Sequence, residues 1–238
     1  MKTLLKIGGV AALLAGILFR RNYVAEVGLF IEELPPVSVS DWFALLQDNR
    51  LLGLTYLNVF DLVNYALLSL VFLALYTALK GVNKSYMAIA MVFGFLGIAV
   101  FFASNTAFSM LSLSERYAAT GTEAEKTMLL SAGEALLSIN RFSDPNAHPG
   151  TGGLASLFFI AVSGLITSLV MLRSDAFHKA VAVVGILAGA FDLAYCIAYV
   201  FLPALDTGLL GVIFIPAAGL FLMVWHIMLG WKLYQLGK

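Results

Sequence analysis

Residues 51–79 read LLGLTYLNVFDLVNYALLSLVFLALYTAL, and this run decides the fold class. It is longer than the stretch of about 18 apolar residues that marks a membrane-spanning helix. Its apolar residues surround the whole helical circumference instead of following a 3.6-residue stripe, as in a helix bathed by lipid or by other helices. Further runs lie on either side of it, over residues 4–19, 86–113, 154–172, 176–202 and 209–231, the first of them short. The chain therefore reads as all-α, a polytopic membrane bundle of about six transmembrane helices. Residues 1–238 form a single integral membrane domain in this reading.

Composition agrees. Hydrophobic residues make up 61% of the 238 and charged residues 12%, against about 45–50% and 25% in soluble domains. The formal net charge is zero and no run of like charges occurs. That pattern offers no footprint for nucleic acid and no polybasic tail for lipid head groups, so the lipid bilayer is the expected partner. Cys196 is the only cysteine, which excludes an intrachain disulfide and a multi-cysteine metal or iron–sulfur site. There is no histidine cluster, serine elbow or phosphate loop, so no enzyme chemistry, metal or cofactor is expected.

An even number of spans puts both termini on one side. Assigning them to the cytoplasm places Lys2, Lys6, Lys80, Lys84, Arg173, Lys179, Lys232 and Lys238 inside, with Asp175 the only acid there. Arg20, Arg21, Arg50, Arg116, Lys126 and Arg141 fall outside with most of the acids. The excess of Lys and Arg favours this orientation, with the protein in the inner (cytoplasmic) membrane.

Two outer segments carry their own helix signals. Ser40 is placed to cap a short helix bearing Trp42, Phe43, Leu45 and Leu46. Over 123–140, Thr127, Ser131, Glu134 and Ser138 share one face, and Leu129, Ala132, Leu136 and Ile139 another. This predicts an amphipathic interfacial helix between the third and fourth spans, with Glu134 on its outer surface. A turn-rich loop containing Asp144-Pro145-Asn146 and His148-Pro149-Gly150 follows.

Ionisable groups inside the spans are the functional candidates, because each costs at least about 2.5 kcal/mol in hydrocarbon. Asp61 shares a helical face with Asn58 and Tyr65, and Asp192 is followed by Tyr195, Cys196 and Tyr199 at spacings of three, four and seven. Asn105 in the third span and Ser163 in the fourth add further polar positions at comparable depth. The candidate polar cavity is thus Asn58, Asp61, Tyr65, Asn105, Ser163, Asp192, Tyr195 and Tyr199, opening outward. The same side chains also suit simple interhelical hydrogen bonding. His226, flanked by Trp225 and Trp231 near the inner end of the sixth span, reads as an interfacial anchor too deep to join them. Gly8, Ala12 and Gly16, and again Gly185 and Gly189, mark close helix approach, and Pro216 predicts a kink.

The stretch Ser104-Asn105-Thr106-Ala107-Phe108-Ser109-Met110-Leu111, continuing through Leu113-Ser114-Glu115-Arg116-Tyr117, resembles a bacterial and archaeal membrane family catalogued as domain of unknown function 4386. Leu129-Leu130-Ser131-Ala132-Gly133-Glu134-Ala135-Leu136-Leu137 and Val170-Met171-Leu172-Arg173-Ser174 resemble it too. The resemblance implies a polytopic inner-membrane protein without an assigned activity, and draws attention to Asn105, Tyr117 and Glu134. Two functions fit these observations. One is binding, or transport, of a small amphiphile or lipid in the cavity; the other is service as an accessory subunit among other membrane subunits.

Overall fold

A computed structural model describes residues 1–26, 36–139, 150–202 and 207–238. Its helices are α1 (Lys2–Glu26), α2 (Val39–Asp48), α3 (Arg50–Tyr56), α4 (Val59–Leu79), α5 (Lys84–Ser104), α6 (Ala107–Ala119), α7 (Glu123–Leu137), α8 (Thr151–Met171), α9 (Lys179–Phe201) and α10 (Thr207–Leu236). No strand occurs among the described residues. The turn-rich segment around Asp144 and His148 lies outside them.

By length and composition, five stretches can cross a membrane: Val59–Leu79, Lys84–Ala119, Thr151–Met171, Lys179–Phe201 and Pro216–Leu236. With α1 they form a ring in chain order. α1 packs on α4, α4 on α5, α5 on α8, α8 on α9, α9 on α10, and α10 back on α1. Glycine makes the closing contact. A β-carbon on Gly9 would stand 2.6 Å from the Tyr234 backbone nitrogen, and one on Gly16 would stand 3.0 Å from Ile227 Cγ1. The two backbones therefore run antiparallel at close range. Lys2 Nζ donates to the Lys238 carbonyl oxygen at 2.9 Å, so both termini share one end of the ring. α10 continues through Pro216.

At the opposite end, α2, α3, α6 and α7 build a cap. Its own core comprises Val39, Trp42, Phe43, Leu46, Leu57, Ala107, Met110 and Leu137. Arg50 and Glu115 pair at 2.7 Å across its surface. Three sequence expectations change here. The third apolar run does not continue as one regular helix through 113: α5 stops at Ser104, where Asn105 turns extended (φ −67°, ψ 126°), and α6 belongs to the cap. The cap of α2 is Ser38, not Ser40; its side chain accepts from the Asp41 amide and lets the helix begin at Val39. On α7 the buried stripe is Leu129, Gly133 and Leu137, rotated from the one expected. The reason is Gly133, whose missing side chain admits Val39 and Phe43 of α2. Ile139, expected on the apolar face, is exposed.

The α1–α10 contact gives the first prediction. Gly9→Leu forces these helices apart and should lower the thermal unfolding midpoint in detergent by several degrees, the scale of a destabilisation of about 1–3 kcal/mol. Gly81→Ala, where a β-carbon meets nothing within 4 Å, should leave the midpoint unchanged.

Candidate functional site

Inside the ring, α4, α8, α9 and α10 enclose a cavity of about 120 Å³. Its polar lining is Asp61 and Tyr65 from α4, Asp192 from α9, and Trp225 and His226 from α10. Leu68, Phe72, Leu157, Ile160, Ala161 and Leu222 supply most of the rest. Asp192 is 5% exposed and His226 1%, whereas Asp61 is half-buried in the first turn of α4.

Depth follows from helix rise. Measured from the end of the ring that holds the termini, Asp61 stands about 27 Å along its helix, Asp192 and Tyr65 about 20 Å, and His226 about 15 Å. The histidine thus lies at mid-bundle, on the wall of the same cavity as both carboxylates. The sequence reading placed it lower because the apolar run ends at 231, whereas the helix continues to Leu236. His226 Nδ1 lies 2.8 Å from the Leu222 carbonyl oxygen. A carbonyl only accepts, so the neutral ring carries its proton on Nδ1, and Nε2 is the basic nitrogen.

The ring of Tyr65 stacks on Phe101 at 3.9 Å and an interplanar angle of 11°. Ser156 Oγ donates to the Gly97 carbonyl at 2.9 Å and lies 3.4 Å from the Tyr65 hydroxyl, which orients the phenol from α8.

The remaining candidates stand elsewhere. Asn58 and Asn105 meet at the boundary between ring and cap. Asn58 is left-handed (φ 59°) and precedes α4. Asn105 Oδ1 accepts from the Ala107 amide at 3.1 Å, starting α6, while its Nδ2 donates to the carbonyls of Leu57 and Asn58 at 3.4 Å. Ser163 Oγ donates to the Ala90 carbonyl at 2.7 Å and joins α5 to α8. Tyr195 and Tyr199, with ring centroids 6.1 Å apart, belong to a separate cluster with Cys196, Leu154 and Phe214. Glu134 is exposed on α7. Of the eight proposed cavity residues, the cavity lining contains Asp61, Tyr65 and Asp192.

Two polar groups escaped the sequence reading: Ser168 Oγ and Trp225 Nε1 are buried, with no hydrogen-bond partner among the described residues. Serine is routine in membrane helices, and a tryptophan next to a histidine near a span's end reads as an anchor, so nothing marked them. Asn64 and Thr167, which lie on the polar stripes of their spans, are buried at 0% exposure and likewise have no partner for their side-chain polar atoms among the described residues. His178 proved to be the N-cap of α9, with Nδ1 accepting from the Ala180 amide at 3.2 Å. No group of three or more His, Cys, Asp or Glu able to hold a metal is present among the described residues.

The left-handed backbone at Asn58 yields a prediction. Asn58→Gly should be close to neutral and Asn58→Val should cost about 1–2 kcal/mol in reversible unfolding. Equal stability of the two variants would contradict this conformation.

No curated protein and no solved structure matches the chain. The family model described as "Domain of unknown function (DUF4386)" matches residues 46–235, from the end of α2 to the end of α10. It thus covers the cap except most of α2, and all the ring except α1, and the chain belongs to this DUF4386 family.

Proposed function

We propose that the protein binds, and moves within the bilayer, a small amphiphile held in the ring cavity. The carrying observation is the convergence of Asp61, Asp192 and His226, from three helices, on one cavity walled mainly by apolar side chains. Each such group is costly in hydrocarbon, and three in one place are a poor way to glue helices together. Size narrows the ligand: an engineered cavity of about 150 Å³ holds benzene. A molecule or head group on that scale fits here, and a whole lipid does not.

In this reading six helices span the membrane. α1 joins the five longer apolar stretches because it packs along both α4 and α10. The lysine-rich end that carries both termini faces the cytoplasm. The cap lies on the outer side, with α7 and the exposed Phe108 and Met128 at the membrane surface.

Gly164 provides the test. It lines the cavity, and a β-carbon there meets nothing within 4 Å. Gly164→Val should therefore fill ligand space without a clash. Native mass spectrometry after gentle extraction should find a small molecule retained by the wild type and lost from Gly164→Val, at equal thermal stability. Asp192→Asn should weaken retention by about tenfold or more, the scale of one charge-assisted hydrogen bond. Recovery without any small molecule, in a stoichiometric complex with other membrane proteins, would replace this function with that of an accessory subunit.

A further inference from the structure

The cavity lies between two seals of very different depth. Below it, toward the end that holds the termini, Leu68, Phe72 and Trp225 belong both to its lining and to the main apolar core of the ring. That core continues for about 10 Å along α4 and α10, through Leu75, Leu79, Leu229 and Leu233, all 0% exposed. The floor itself is closed at Gly185, where a β-carbon would overlap Ser168 Oγ of α8 and stand 2.5 Å from Trp225 Nε1 of α10.

Above the cavity the packing is thinner. Tyr195 and Cys196 are buried in a small cluster, with Leu154, Leu157, Tyr199 and Phe214 partly buried against them. Leu157 also lines the cavity, so the cluster adjoins it directly. Tyr195 stands about 4.5 Å beyond Asp192 on α9, and Leu154 the same distance beyond Leu157 on α8. Asp61, the lining residue nearest this end, is half-buried, whereas the deeper Asp192 and His226 are almost wholly enclosed.

Openings in a packed protein start where the fewest buried side chains have to separate. A passage to the lysine-rich end would part the core that joins all six ring helices. A passage to the cap end displaces only the small cluster around Tyr195. We propose that the cavity has one door, at the cap end, closed by Tyr195 with Leu154 and Phe214, and that the lysine-rich end stays shut. A small amphiphile then enters and leaves by the cap face, and its movement runs between that face and mid-bilayer. This inference rests on the ligand-binding reading above and adds the route.

The test uses the full chain in membrane vesicles of either orientation and a charged methanethiosulfonate that does not cross lipid. Gly164→Cys puts a thiol into the cavity, and peptide mass spectrometry separates it from Cys196. Gly121→Cys, between α6 and α7, and Gly81→Cys, between α4 and α5, mark the two faces, since a β-carbon at either meets nothing within 4 Å. Gly164→Cys should react in the orientation in which Gly121→Cys does, and stay unmodified in the one in which Gly81→Cys reacts. Adding Tyr195→Ala should raise its rate about tenfold, equivalent to easing the opening by about 1.4 kcal/mol. Leu154→Ala should act in the same direction, whereas Leu75→Ala, in the lower seal, should leave the rate as it is. Reaction from the Gly81 face, no reaction from either face, an unchanged rate in both Tyr195→Ala and Leu154→Ala, or equal acceleration by Leu75→Ala would overturn the door. No ligand takes part in these rates. A cap-end door without any retained small molecule would therefore remove the binding reading alone, and a retained molecule with reaction from the lysine-rich face would remove the door alone.

Discussion

One asparagine side chain holds the two halves of this protein in register. Asn105 uses its oxygen to start α6 and its nitrogen to hold the carbonyls that precede α4. Two helices are broken at the same level, and each break would strand backbone groups where water is scarce. The amide satisfies both ends at once. Above it the chain folds into short helices around Trp42, Phe43 and Met110; below it, long helices run down to the lysine-rich end. Asp61 stands at the top of the ring because α4 begins there, one turn below the asparagine pair.

Glycine sets the other dimension. At Gly9 and Gly230 the absence of a side chain brings α1 and α10 together, whereas at Gly164 it leaves space inside the ring. The same residue type seals the wall in one place and opens the interior in another. What differs is whether a neighbouring helix reaches the glycine, as Tyr234 reaches Gly9, or nothing comes within 4 Å of a β-carbon, as at Gly164.

Much of this was legible beforehand. The long apolar runs contain the ring helices, because a run that is apolar on every side has nowhere else to go, but the start of the 51–79 run is α3 and the end of the 86–113 run is α6, both in the cap. The glycines at 8, 16, 185 and 189 all sit at close contacts. Asn58 and Asn105 were read as site residues because a polar group in an apolar run suggests function. Asparagine is equally the residue of left-handed turns and helix starts, and that second signal was the one the fold uses. The eight-residue reach from Asp192 to Tyr199 follows one helix face, yet the cavity occupies only its lower part, and spacing along a helix says nothing about where the neighbouring helices close. His226 was misplaced by the length of one unforeseen helical turn beyond residue 231. The meeting of Ser168 and Trp225 at Gly185 needed the third dimension, since the two come from helices far apart in the chain.

The ring is ordered as the chain is, and this bears on how it is made. Four of its contacts form between helices adjacent in the ring order as they emerge, and α1 finds α4 early. The contact between α1 and α10 joins the ring's first helix in chain order to its last. At about 5–20 residues per second, the two are separated by roughly ten to fifty seconds of translation. Throughout that interval the glycine face of α1 around Gly9 has no α10 to meet. Closure of the ring, and with it the last wall of the cavity from Trp225 and His226, waits for α10.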